Sequence, residues 1–307
     1  FVASSNCALY CGAEVDFVDI DPRTYNIGVD HLKNKLKEAK LVNKLPKVLI
    51  AVHQSGQSCD MESIHKLSKE YNFHIIEDAS HSIGASYKNQ KTGSCQFSDI
   101  TVFSFHPVKI ITSGEGGMSI TNNIDLDKKM KLHRSHGITS LKEDMSIRPL
   151  DELWNYQQVT LGYNYRMTDI HAALGMSQFD RLDEFIASRH KIANRYEESL
   201  KEIPLITPFQ IKDSFSSYHL YLVRLKIDLM KKSQLQVYSE LRSKGVLVNL
   251  HYIPVYLQPF YQNLGFKRGY CPNSEDYFKS ILSIPMYASL DRVTQDRVIE
   301  IMKETIK

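Results

Sequence analysis

Three neighbouring stretches decide the fold class: Lys47-Val48-Leu49-Ile50-Ala51-Val52-His53, then Asp60-Met61-Glu62-Ser63-Ile64-His65-Lys66-Leu67-Ser68-Lys69-Glu70-Tyr71, then Phe73-His74-Ile75-Ile76-Glu77-Asp78. The first and third are apolar runs of strand length, while the middle one sets Ile64, Leu67 and Tyr71 on one helical face. Strand, helix and strand within about thirty residues make a βαβ unit, whose strands lie parallel. The pattern continues on both sides. Residues 15–20 predict a strand and 28–39 a helix, while 100–105 and 117–121 predict two further strands. The reading is an α/β chain with a mostly parallel sheet in its large domain. Ligands of such sheets gather at the carboxyl ends of the strands. Asp78, Ser104 and Lys109 all fall at or just after such ends.

From residue 168 to about 200 the pattern turns helical. Ala172, Ala173, Gly175, Met176 and Phe179 point to close packing, and the later charges to a solvated face. A helix of this length can join two domains. Beyond Pro204 and Pro208 the pattern predicts strand 218–225, helix 233–244, strand 246–252, helix 274–282 and a last helix over 295–307. These interleave as a smaller α+β domain, so the expected division is 1–203 and 204–307. Residues 140–158 are irregular, and a loop of that length points to function or mobility.

Composition narrows the function. Of 307 residues, 42% are hydrophobic and 24% charged, with a net charge of +3 and no basic block. Phosphate neutralisation needs clustered Lys and Arg, which argues against a nucleic-acid surface. Apolar runs such as residues 48–52 are too short for a bilayer span, and no cationic, then apolar, leader opens the chain, so the expectation is a cytoplasmic protein. Cys7, Cys11, Cys59, Cys95 and Cys271 form an odd set without a CxxC pair. The reading is reduced, buried thiols, with no metal at these or at the twelve histidines. The chain opens at Phe1 rather than Met, and the expectation is a protein whose front has been lost.

Four segments can carry chemistry. In residues 102–109 (VFSFHPVK), Lys109 stands between Val108 and Ile110. It is either a lysine reaching to water or a desolvated amine with lowered pKa, able to form a Schiff base. Gly114, Gly116 and Gly117 follow, letting backbone approach a ligand, but the run lacks a nucleotide-loop pattern. In residues 75–81 (IIEDASH), Asp78 closes a buried strand and needs a partner: a cationic ring nitrogen, or the first turn of a helix that it caps. His81 is a ring contact or a satisfied core histidine. Residues 161–169 (LGYNYRMTD) set Asn164 and Arg166 ahead of a helix, suited to an anion or simply polar. Residues 251–259 (HYIPVYLQP) offer His251 and Tyr252 as a substrate wall or a rigid loop.

Taken together, these blocks resemble the sugar aminotransferases of the DegT/DnrJ/EryC1/StrS family, a branch of the fold-type I enzymes dependent on pyridoxal 5'-phosphate (PLP). The resemblance runs the length of the chain: residues 1–6 (FVASSN), 16–27 (DFVDIDPRTYNI), 77–81 (EDASH), 103–109 (FSFHPVK), 134–138 (RSHGI), 161–175 (LGYNYRMTDIHAALG), 251–259 and 283–287 (SIPMY). Residues 77–84, 103–117, 134–139 and 251–266 are most similar to the pseudaminic-acid branch, which aminates C4 of a UDP-linked 4-keto-6-deoxy-N-acetyl sugar with L-glutamate. Perosamine-type and 4-amino-arabinose-type substrates are the alternative, and a non-catalytic module on the same fold a further one. The resemblance implies that Lys109 carries PLP, that Asp78 meets its pyridine nitrogen and that His81 contacts its ring or O3′. It also implies that Ser104 binds its phosphate, joined by Asn164 from a neighbouring copy in a homodimer with shared active sites. His251 and Tyr252 then meet the nucleotide sugar. The family's preceding Gly-Ser/Thr phosphate loop is not in these residues, so the large domain is expected to be N-terminally truncated.

Overall fold

The computed structural model describes residues 1–146 and 151–306. Its principal sheet is built on the βαβ unit. Val48–Val52 and His74–Asp78 run parallel, with Val52 opposite Asp78. Ile100–Ser104 adds a third parallel strand, with Val102 opposite Asp78. Gly117–Ile120 closes that edge antiparallel. The crossover helix Met61–Tyr71 buries Met61, Ile64, Leu67, Ser68 and Tyr71, and the four apolar ones pack with Leu49, Phe73 and Ile75 into one cluster. The helix starts where Asp60 accepts the Ser63 N–H at 3.3 Å and the Tyr87 hydroxyl at 2.7 Å. It stops at Asn72, whose left-handed φ of 56° lets the chain turn into the next strand.

The second sheet is antiparallel, in the order Ile281–Ile284, Tyr221–Leu225, Leu205–Ile206. Helices Leu182–Ser199, Gln234–Ser243 and Arg292–Thr305 contribute Tyr196, Leu241 and Met302 to its core, beside Val223 and Leu282. A small third sheet joins Ser86–Tyr87 to Gln90–Lys91 and Ser214–Phe215. Among the described residues, no helix is long and apolar enough to cross a membrane.

Several expectations are corrected. Residues 15–20 form no strand, only an isolated Ile20–Ile27 bridge. Here Asp16, Asp19 and Asp21 accept main-chain N–H groups of Phe17, Ile20, Arg23 and Thr24, which competes with a strand ladder. Residues 246–252 likewise reduce to an Asn249–Ser283 bridge, with the Leu250 N–H taken by the Asn249 side chain. The helix expected over 274–282 runs Pro272–Phe278 and gives way to the Ile281–Ile284 strand, all four residues of which are buried. The long helix is two, Asp169–Phe179 and Leu182–Ser199. The first, though apolar, buries none of its side chains, and Ile170 is 81% exposed. The segment over 140–158 contains a short turn and the Gln157–Gln158 strand, paired with Ile138–Thr139. Residues 147–150 of it, like Lys307 of the last helix, lie outside the described residues. Cys59, Cys95 and Cys271 are buried, but Cys7, on the Ala3–Tyr10 helix that buries no side chain, and Cys11, just after it, are exposed.

Candidate active site

At the carboxyl edge of the parallel strands, Asp78 ends the His74–Asp78 strand with its carboxylate gripped by two serines. Oδ2 accepts the Ser4 hydroxyl at 2.6 Å, and Oδ1 accepts both the Ser80 hydroxyl at 2.6 Å and the Ser80 N–H at 3.1 Å. Burial pushes this carboxyl up, but the donors from Ser4 and Ser80, with nearby His81, outweigh it and hold it below its ordinary range. An ionised carboxylate at a strand end is therefore built in.

Lys109 lies in the turn after the Ile100–Ser104 strand, its N–H donating to the His106 carbonyl at 2.9 Å. Burial lowers its amine below the ordinary lysine value, and the Asp78 carboxylate partly opposes this. Such an amine is more readily a neutral nucleophile than a solvated lysine is.

His81 is buried between two other rings. Its centroid lies 4.4 Å from that of His219 and 6.4 Å from that of Tyr252, the latter stacked at 24°. The Ser55 N–H donates to its Nδ1 at 3.3 Å, so the ring proton sits on Nε2, 3.4 Å from the Tyr252 hydroxyl. Burial, with the charge of Lys109 adding to it, drops His81 to about 3 and keeps it neutral. Ser55 is held by the Gln54–Gly56 turn that follows the first strand. Gly56 takes φ of 106° there, and a Cβ on it would stand 2.9 Å from the His81 carbonyl oxygen and 2.4 Å from Ser217 Oγ. His251 is anchored by Nδ1 to the Ser283 hydroxyl at 2.6 Å, and burial with Lys109 lowers its basicity. Burial and the Asp78 charge push the Tyr252 phenol up to about 12, so it is a hydrogen-bond donor at neutral pH.

Asp78, Lys109, His81, His251 and Tyr252 thus share one electrostatic environment. Ser104 stands at the same sheet edge, two residues beyond the Val102 that pairs with Asp78. Asn164 is elsewhere on the surface, exposed and bridged to Ser135. Residue reasoning missed Ser4, Ser80 and Ser55. Ser80 was readable, because an Asp followed two residues later by Ser is a turn signature. Ser4, 74 positions before Asp78, left no local signal.

This donor set suits a flat, cationic heteroaromatic ring with a carbonyl: a carboxylate for the ring nitrogen, an amine of lowered basicity and a neutral imidazole plate. The profile of the DegT/DnrJ/EryC1/StrS aminotransferase family matches residues 1–303. The chain is 35% identical over 314 residues to the UDP-4-amino-4,6-dideoxy-N-acetyl-beta-L-altrosamine transaminase of Campylobacter jejuni, covering 100% of this chain and 78% of that one. It is 33% identical over 308 residues to the GDP-perosamine synthase of Caulobacter vibrioides, covering 100% and 77%. Among solved structures, Helicobacter pylori PseC, an aminotransferase involved in the biosynthesis of pseudoaminic acid, superposes with a TM-score of 0.88 at 29% identity, over 100% of this chain and 77% of that one. The chain belongs to the DegT/DnrJ/EryC1/StrS aminotransferase family and is an aminotransferase of nucleotide sugars that uses pyridoxal 5'-phosphate.

Proposed function

We propose that this aminotransferase moves the amino group of L-glutamate to C4 of a UDP-linked 4-keto-6-deoxy-N-acetyl sugar, on the way to pseudaminic acid, as a cytoplasmic homodimer. The observation that carries the reading is the 35% identity to an altrosamine transaminase over 100% of this chain. Residues 1–203 form the cofactor-binding domain in this reading, and 204–307 the smaller one.

PLP supplies an electron-accepting ring and the carbonyl that exchanges the amino group. Lys109 would hold it through Nζ, and its amine, of lowered basicity, would serve as the general acid and base that takes and returns the proton at the substrate carbon. Asp78 keeps the ring nitrogen protonated. His81 would contact the ring or its O3′, with Nε2–H as the donor. Ser104 Oγ would bind the phosphate, and the Asn164 amide would reach the phosphate held by a neighbouring copy. The exposed apolar helix Asp169–Phe179, just after Asn164, supports such pairing. His251 and Tyr252, both half-buried, would line the sugar side.

The identity to a GDP-perosamine synthase favours one alternative, a GDP-linked keto sugar. Incubating the PLP-loaded protein with glutamate and a panel of keto-sugar nucleotides, and measuring 2-oxoglutarate release, separates the two. Preferential turnover of the UDP-linked N-acetyl sugar is expected. Turnover confined to a GDP-linked sugar overturns the substrate, and no 2-oxoglutarate release with glutamate, with or without any sugar of the panel, points to the non-catalytic alternative.

A further inference from the structure

Behind Asp78 lies a closed polar cluster that the reading above leaves unused. Neighbouring residues of a strand face opposite ways, so Glu77 points away from the site, into the interior. It is only 6% exposed. His53 Nε2 stands 2.7 Å from Glu77 Oε2, and the hydroxyls of Ser98 and Thr101 donate to Oε1, the second at 3.1 Å. The Cys59 N–H donates to His53 Nδ1 at 3.1 Å, which leaves the ring proton on Nε2, directed at Glu77. Burial pushes Glu77 up, but His53, Ser98 and Thr101 outweigh it and keep the carboxylate ionised.

A buried carboxylate is costly to keep, and an apolar side chain would fill the space. What distinguishes this cluster is its double hold on one strand end. His53 is the residue after the Val48–Val52 strand. Its main-chain N–H donates to the Asp78 carbonyl at 3.1 Å, while its ring donates to Glu77. Thr101 lies opposite Glu77 in the next strand and ties the same point from the other side. The strand is therefore pinned on both flanks at the residue before Asp78, and at Asp78 itself. Reaction rates respond to misplacements of about 1 Å, and a strand terminus is where fraying would introduce them.

We propose that His53 and Glu77 are positioning residues for Asp78: their buried hydrogen bond fixes the strand end so that the Asp78 carboxylate meets the cofactor's ring nitrogen in one geometry. The inference rests on the reading of Asp78 as that nitrogen's partner.

The test is a mutant cycle in the PLP-loaded protein, with Glu77→Gln and Asp78→Asn made singly and together. It reads kcat, KM, the dissociation constant of PLP, and the pH midpoint of the cofactor's absorbance change. Glu77→Gln is expected to lower kcat about tenfold with KM unchanged. It should also move the absorbance midpoint in the same direction as Asp78→Asn and add nothing in the Asp78→Asn background. His53→Gln, which retains an N–H donor toward Glu77, is expected to stay near wild type, while His53→Ala follows Glu77→Gln. If Glu77→Gln does not fold, the two His53 variants carry the same comparison. A Glu77→Gln loss that is equal in both backgrounds, or a lowered melting temperature with an unmoved midpoint, overturns the inference. Asp78→Asn shifting midpoint and turnover while Glu77→Gln shifts neither overturns it alone. An Asp78→Asn protein with unchanged midpoint and turnover overturns the reading of Asp78, and the inference with it.

Discussion

Lys109 and Asp78 feel each other's charge in a site where partial burial lowers the basicity of the first and serines hold the second charged. Lys109→Ala is expected to abolish amino transfer with the fold retained, and borohydride reduction followed by peptide mapping should label Lys109 in the parent protein. A label on another lysine would move the assignment there. Asp78→Asn should cut turnover far more than it lowers the melting temperature, since an amide cannot keep a pyridine nitrogen protonated. Near-parental turnover would make Asp78 a structural turn residue.

His81 gives a pH signature. Its folded value, about 3, lies below the ordinary histidine value, so between these the unfolded chain binds a proton that the folded chain refuses. This group's contribution is complete above about pH 6.5 and is lost as pH falls, at about 1.4 kcal/mol per pH unit. Urea midpoints measured from pH 7 to pH 4 should fall less steeply for His81→Gln than for the parent, and equal slopes would show that His81 takes up a proton when folded. At this scale the sequence exposed the chemistry-bearing groups but not their holders. A Lys between apolar residues and an Asp at a strand end are local features. The Ser4 hydroxyl and the Ser55 N–H reach the site only once distant segments meet.

Among the elements, the legible ones were those whose periodicity matched their hydrogen bonding. Met61–Tyr71 reads as a helix because its apolar spacing and its buried face coincide. Asp60→Ala removes the acceptor for Ser63 N–H and leaves the Tyr87 hydroxyl without its partner. A loss of about 1 kcal/mol is expected, read as a lower melting temperature with PLP affinity unchanged. An unchanged melting temperature would mean that water replaces the cap fully. The illegible elements were those in which side chains captured main-chain donors. Residues 15–20 have strand composition, yet Asp16 and Asp19 take the N–H groups of Phe17 and Ile20. The Ile281–Ile284 strand was hidden by the helix running into it, since a four-residue apolar run fits either state until a neighbouring strand claims it.

For the whole molecule, the α/β class and the mostly parallel sheet followed from one strand–helix–strand unit, and the family from blocks spread over the full chain. The exposure of Asp169–Phe179 was less legible, because an apolar helix reads the same whether or not its own chain covers it. If Asn164 serves the neighbouring copy, Asn164→Ala and Lys109→Ala protomers, each inactive alone, should complement when mixed: a heterodimer then has one site lacking both groups and one lacking neither. No recovered activity in verified heterodimers would place Asn164 in its own subunit's site or in none.

The uncovered Asp169–Phe179 helix also sets a kinetic contest during synthesis. If copies pair through it as proposed, each new chain until then carries an exposed apolar surface that any other unfinished protein can seize. Correct pairing and indiscriminate clumping both accelerate with concentration, so faster expression does not by itself favour the first. Slower translation, or a cooler culture, should raise the soluble fraction more than extra message does. A polar replacement such as Ile170→Glu should keep the isolated chain dispersed while denying it a mate.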